Sequence, residues 1–223
     1  MPVDRSLWLW LQGESQNLPI NTTLFTADWT AAIRGRKNHP CILQWDIFNE
    51  FEYEASHWSC TNTSCEILET TRRLDSTRLV DFNSGGPGNS LGIGDVNDIH
   101  SYPDPNAQRA AATRSQYGMV GEYGGIGWAA PGHEWLPGKC QQRSAGNYKN
   151  SAAGAAVLLR ELSMIAEGKA AGNISAVVYT QITDVELECD GIFTYDRIPH
   201  YNEQDTARIK EANLMLTGRR VPQ

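Results

Sequence analysis

The stretch Arg36-Lys37-Asn38-His39-Pro40-Cys41-Ile42-Leu43-Gln44-Trp45-Asp46-Ile47-Phe48-Asn49-Glu50 decides the fold. From Ile42 to Phe48 it reads as an apolar run buried on both faces, as strands of a parallel sheet are. The run ends in Asn49-Glu50, an acidic residue where a core strand normally gives way to a neutral turn. Val120-Gly121-Glu122-Tyr123 closes a second apolar run in the same way. A carboxylate at such a place is costly unless it is used or paired.

Around these two stretches strand and helix alternate. Buried strands are expected at Ile42 to Phe48, Leu79 to Phe82, Asp98 to His100, Met119 to Tyr123 and Ala176 to Gln181. Helical patterns are expected at Asp28 to Arg36, Ser64 to Leu74, Ala107 to Arg114, within Asn150 to Gly168, and at Thr206 to Leu216. Alternation of this kind predicts a parallel sheet covered by helices, either doubly wound or a (β/α)8 barrel. Polar residues decide between the two, because they cluster just after five strand ends: Asn49-Glu50, Asn83-Ser84, His100-Ser101-Tyr102, Glu122-Tyr123 and Gln181 to Asp184. Many strands contributing polar tips to one face is the logic of a barrel. The glycine-rich stretch Gly85 to Gly94 lacks G-x-G-x-x-G spacing and a following helix, which argues against a phosphate cradle.

Hydrophobic residues at 40% and charged residues at 20% of 223 exclude wholesale disorder. The 19 Lys and Arg against 26 Asp and Glu give a net charge of −7 with no basic block, so nucleic acid and anionic membrane are not expected partners. No apolar run approaches the roughly 20 residues of a membrane helix. Met1-Pro2-Val3-Asp4-Arg5 lacks the layout of a signal peptide. The sequons at Asn21, Asn62 and Asn173, with Cys60, Cys65, Cys140 and Cys189 in expected loops, lean toward a secreted protein whose localisation is otherwise open.

Two glutamates at one end of a barrel can flank a single substrate bond, one delivering a proton and the other attacking carbon, which is the minimum equipment for glycoside hydrolysis. The alternative is structural: each caps the next helix or pairs with an arginine. His57-x2-Cys60-x4-Cys65 with Glu54 nearby lacks the second ligand pair of a zinc site, and neither metal nor cofactor is expected. Gln12-Gly13-Glu14-Ser15 echoes carbohydrate esterases, but no G-D-S nucleophile segment or D-x-x-H accompanies it.

Arg36 to Ile42, leading into Trp45 and Phe48-Asn49-Glu50, resembles the R-N-H-P-S-[IV]…N-E segment of glycoside hydrolase family 2, the β-galactosidase and β-glucuronidase relatives. Ser76-Thr77-Arg78-Leu79-Val80, Asp98-Ile99-His100-Ser101-Tyr102-Pro103, Gly121-Glu122-Tyr123-Gly124-Gly125, Tyr179 to Glu186 and Thr194-Tyr195-Asp196-Arg197 follow in family order, so the resemblance spans roughly residues 26 to 216. It implies that Glu50 and Glu122 end the fourth and seventh barrel strands, as general acid/base and nucleophile of a retaining hydrolase whose carboxyl groups stand about 5–5.5 Å apart. By the same resemblance Asn49 binds the sugar 2-hydroxyl, and His100 and Tyr102 line the site and orient the nucleophile. Gln181 and Asp184 follow the eighth strand as substrate-side residues, and Trp128 is the preferred sugar platform, with carbohydrate as the partner.

Phe51-Glu52-Tyr53-Glu54 departs from the glycine and tryptophan that often follow in relatives. Met1-Pro2 resembles the segment just after the third barrel strand. The expectation is therefore a partial (β/α)8 barrel, strands four to eight, with residues 1–25 irregular and 26–223 the C-terminal part of the barrel. The first three strands and the preceding β-sandwich domains would belong to a longer hydrolase. The non-enzyme alternative is an inactive carbohydrate-binding or interaction remnant of a truncated barrel. For the cysteines, pairing of Cys140 with Cys189 and of Cys60 with Cys65 is expected, with Cys41 a buried thiol.

Overall fold

The computed structural model describes residues 22–50, 63–86, 92–140 and 148–218. In chain order the elements are α1 Thr22–Arg36, β1 Gln44–Asn49, α2 Thr63–Leu74, β2 Leu79–Ser84, β3 Val96–His100, β4 Tyr117–Gly124, α3 Ser151–Ala170, β5 Ala176–Thr180 and α4 Glu203–Leu216. Each of the five expected strands is present, with ends displaced by at most two residues. The chain divides into two compact units. The first holds residues up to Ile99 together with Ala110–Met119, and the second holds His100–Arg109 and the chain from Val120 onward.

In the first unit β1 and β2 run parallel, with Gln44 beside Leu79 and Asn49 beside Ser84. α1 presents Phe25, Trp29 and Ile33, spaced four apart on one face, to Trp45 and Ile47 of β1. Trp29 meets Trp45 edge-on at 6.1 Å between ring centroids, and Phe48 lies between Phe25 and Phe82 at 5.5 Å from each. The buried indole N–H groups are satisfied, that of Trp29 by Thr71 Oγ1 at 2.7 Å and that of Trp45 by Asp75 Oδ2 at 3.0 Å.

Arg78 explains the Ser76-Thr77-Arg78 segment. Its guanidinium donates to the carbonyls of Ile42 and His39 before β1 and to Asp75 Oδ2 before β2, at 2.9, 3.1 and 2.8 Å. This single side chain pins the starts of both strands and thereby their register. Burial alone would raise the Asp75 carboxyl, but hydrogen bonds from Thr77, Trp45 and Arg78 outweigh it and hold the group at about 2.

Two expectations are corrected in this region. Cys41 is a free thiol but exposed, because β1 begins only at Gln44 and Pro40-Cys41 occupy a turn closed by the Ile42 N–H on the His39 carbonyl. Ala107 to Arg114 is not a helix. The backbone groups there are bound elsewhere: Asn97 donates to the Ala111 carbonyl, and the Thr113 N–H points forward to the Gln116 carbonyl in place of a helical acceptor four residues back. These bonds compete with the helical ladder.

In the second unit the Gly125 N–H reaches the Thr180 carbonyl, joining the ends of β4 and β5. α3 turns Gly154, Ala155, Leu158, Glu161, Leu162, Ile165 and Gly168 inward, and Asn150 caps its start by accepting from the Ala153 N–H. Two glycines mark close approach. A Cβ at Gly154 would stand 2.5 Å from the Trp128 ring, and one at Gly168 would stand 2.2 Å from Ala107 Cβ. Ser151 Oγ donates to Asp205 Oδ2, tying the first turn of α3 to α4.

Candidate active site

Asn49 and Glu50 close β1 in the first unit. Glu50 is exposed, has φ 50°, and donates its N–H to the Ser84 carbonyl at 2.8 Å. A non-glycine residue with positive φ is uncommon, and here it follows directly on a strand whose register is held by β2. Deeper along these strands lies a second acidic group that sequence reading missed. Asp81 is fully buried, and burial first, then the charges of Asp98 and Asp46, push its carboxyl well above the usual range. Asp98 accepts the Ser84 hydroxyl at 2.7 Å. No periodicity separates such aspartates from turn residues.

The second unit brings three of the expected site residues together. The Tyr102 hydroxyl donates to Glu122 Oε2 at 2.8 Å, and His100 Nδ1 stands 3.5 Å from the same oxygen. The Ser101 N–H donates to the Glu122 carbonyl at 3.0 Å, so backbone and side chains are both in register. The Glu122 side chain retains 12% exposure and that of His100 6%, so both are largely buried. Burial, then the Glu122 charge, raises the Tyr102 phenol far above its ordinary value, which keeps it a donor. The Gly124-Gly125 pair has a local reason: Gly124 has φ 99°, and a Cβ there would meet the Tyr179 ring at 2.4 Å.

The remaining expected residues form two further groups in this unit. Gln181 follows a cis Thr180–Gln181 peptide and donates to Asp190 Oδ1 at 2.9 Å and Glu188 Oε2 at 3.2 Å. Burial pushes Asp190 up to about 6 against the hydrogen bond from Gln181. Asp184 is buried, takes the Gly191 N–H at 2.8 Å and lies 3.0 Å from His200 Nε2. Trp128 stands edge-on against that same His200 and against Tyr201, at 5.0 and 5.3 Å. Asp184, His200 and Trp128 are thus one chain of contacts.

Cys140 and Cys189 form a disulfide, as expected from their loops. Cys65 is also disulfide-bonded, which removes the thiolate a zinc site would need. Cys60 and His57 lie outside the described residues. No described helix is long and apolar enough to cross a membrane.

Residues 20–113 match the family model for glycosyl hydrolases family 2, TIM barrel domain. No curated protein matches the sequence. Among solved structures the chain is similar to the β-glucuronidase of Parabacteroides merdae with glycerol in its active site, at 13% identity and TM-score 0.59 over 93% of this chain and 29% of that one. It is also similar to an FMN-binding β-glucuronidase of Faecalibacterium prausnitzii L2-6, at 18% identity and TM-score 0.55 over 84% and 31%. A third is the β-glucuronidase of Ruminococcus gnavus, at 13% identity and TM-score 0.54 over 86% and 36%. At these identities the likeness is one of fold, and the chain spans about a third of the length of each. The resemblance to family 2 read from the motifs therefore stands, on an α/β chain with parallel strands.

Proposed function

We propose that this chain, over residues 26–223, is the part of a family 2 glycoside hydrolase barrel that carries strands four to eight, and that it hydrolyses O-glycosidic bonds with retention. In this reading Glu122 is the nucleophile and Glu50 the general acid/base. The observation that carries it is the Tyr102 hydroxyl on Glu122 Oε2 at 2.8 Å, with His100 Nδ1 at 3.5 Å. The hydrogen bond on Oε2 fixes the orientation of the carboxylate that attacks.

The Glu122 carboxylate attacks the anomeric carbon while the bond to the leaving oxygen breaks and that oxygen takes the Glu50 proton. The Glu50 carboxylate then takes a proton from water, whose oxygen bonds to the anomeric carbon as the bond from that carbon to Glu122 breaks, which releases the sugar and restores both glutamates. Asn49 binds the sugar 2-hydroxyl. Both Asp184 oxygens are committed to Gly191 and His200, so its part is to fix the imidazole against which Trp128 stands. Gln181, held by Asp190 and Glu188, limits the other side of the eighth-strand loop.

Labelling of the full-length protein with 2-deoxy-2-fluoro glycosides of galactose, glucuronic acid and mannose tests this. One of them should leave a covalent adduct on Glu122, located by peptide mapping, and Glu122→Ala should take up no label. Glu50→Ala should still form the adduct from a substrate with a good leaving group and then stall. An adduct on another residue, or none with any of the three sugars, overturns the reading.

A further inference from the structure

The loop after β4 and the loop after β5 are fastened to one another three times within the second unit. The Cys140–Cys189 disulfide is one link. The second is the pair His133 Nδ1 and Asp196 Oδ2 at 2.8 Å, where Asp196 also accepts the Thr194 hydroxyl at 2.6 Å. The third is a contact between two rings, Trp135 and Tyr195, with centroids 4.8 Å apart and planes tilted by 58°. Both rings are open to solvent, Trp135 at 53% and Tyr195 at 40%. A single exposed aromatic needs no explanation. Two in contact, from separate loops joined by a disulfide and a histidine–carboxylate contact, form a solvent-facing surface that the fold does not need for its core.

We propose that Trp135 and Tyr195 form a carbohydrate-binding platform for a pyranose ring of a glycan chain, with His133 and Asp196 at its rim for the sugar hydroxyls. Indole and phenol faces suit the apolar C–H faces of pyranoses, while their polar ends and the rim supply hydrogen bonds. Area separates this occupant from a protein. Even with the half-exposed Leu136 and Ile198, neighbours in sequence, the apolar surface is on the order of 400 Å², half of what one side of a stable protein interface buries. The loops follow the C-terminal ends of strands, where barrels place ligand-contacting segments. The platform uses none of the residues assigned to bond cleavage, and its binding is read without turnover, so it fails or stands separately from the two-glutamate reading.

Native gels containing soluble xylan, β-glucan, galactomannan or arabinogalactan test it on the full-length protein. At least one polysaccharide should retard migration, and Trp135→Ala should weaken its dissociation constant at least tenfold, as should Tyr195→Ala, with unchanged far-ultraviolet circular dichroism. Trp135→Phe, which keeps an aromatic face, should retain most of the retardation and guards against a folding artefact in the alanine variants. Acrylamide quenching of tryptophan fluorescence should fall when the retarding polysaccharide is bound. Absence of retardation with all four, or retardation equal in native protein and both alanine variants, overturns the proposal. So does a concentration-dependent self-association that Trp135→Ala abolishes, which would make the patch a contact between copies.

Discussion

The Tyr102 hydroxyl donates to Glu122 Oε2 across 2.8 Å, and burial with the adjoining carboxylate keeps that hydroxyl protonated far beyond the ordinary range of a phenol. The nucleophile of the proposed reaction is therefore oriented by a donor that does not titrate with it. A charge-assisted bond of this kind contributes about 1.5–3 kcal/mol.

Replacing Tyr102 by Phe should lower kcat/KM about ten- to a hundredfold on that basis. A loss of stability with kcat/KM unchanged would assign Tyr102 to packing alone.

Arg78→Ala should cost about 2–4 kcal/mol in chemical denaturation, since it frees two carbonyls and leaves Asp75 without its cation. Asp75 is depressed to about 2 in the folded chain, below its unfolded value of about 4. Its contribution is thus fully present above pH about 4 and is lost as pH falls toward 2. The gap between the native chain and Asp75→Asn should shrink over that window.

Glu161 is fully buried on α3, neither carboxylate oxygen has a hydrogen-bond partner, and burial pushes it up to about 8. Asp104 adds to this rise, Arg160 opposes it, and Tyr123, Tyr179 and Tyr201 lie close enough to feel its charge. The folded state holds the proton more tightly than the unfolded chain does. Stability from this group is therefore complete below pH about 4 and declines until pH about 8. Glu161→Gln should match the native chain at about pH 4 and below, exceed it increasingly toward pH 8, and gain on the order of 2–5 kcal/mol by pH 9. Equal pH dependence of the two melting temperatures would refute this.

Cys140 and Cys189 are 49 residues apart, and removing a bridge that closes a loop of that length costs about 2–4 kcal/mol. The double serine variant should lose that much. In denaturant without reductant, Cys41 should be titrated by a thiol reagent while Cys140 and Cys189 remain unreactive until reduced.

Strand positions were legible because five apolar runs are bounded by polar tips, and burial on both faces of a parallel strand leaves a continuous signal in one dimension. Glu50 and Glu122 were legible for the complementary reason: a carboxylate directly after an apolar run is conspicuous. Trp128 and Asp184 could be named as candidates, but their link through His200 could not, since residues so far apart meet only when β4, β5 and the last loop have folded. The Ala107 to Arg114 pattern misled because helix propensity is a weak prior, and Asn97 and Gln116, both outside the segment, take the Ala111 carbonyl and the Thr113 N–H.

The sequence by itself determined the alternation of strand and helix, the family resemblance, and the acidic residues that close β1 and lie on β4. Only the tertiary structure decided which oxygen of Glu122 meets Tyr102, that Glu161 is sealed without a partner, that Cys41 faces solvent, and that Trp135 and Tyr195 touch. Periodicity and propensity are properties of neighbours along the chain. Hydrogen-bond partners, desolvation and ring contacts depend on distances through space, and these exist only once the segments between them have been closed into loops.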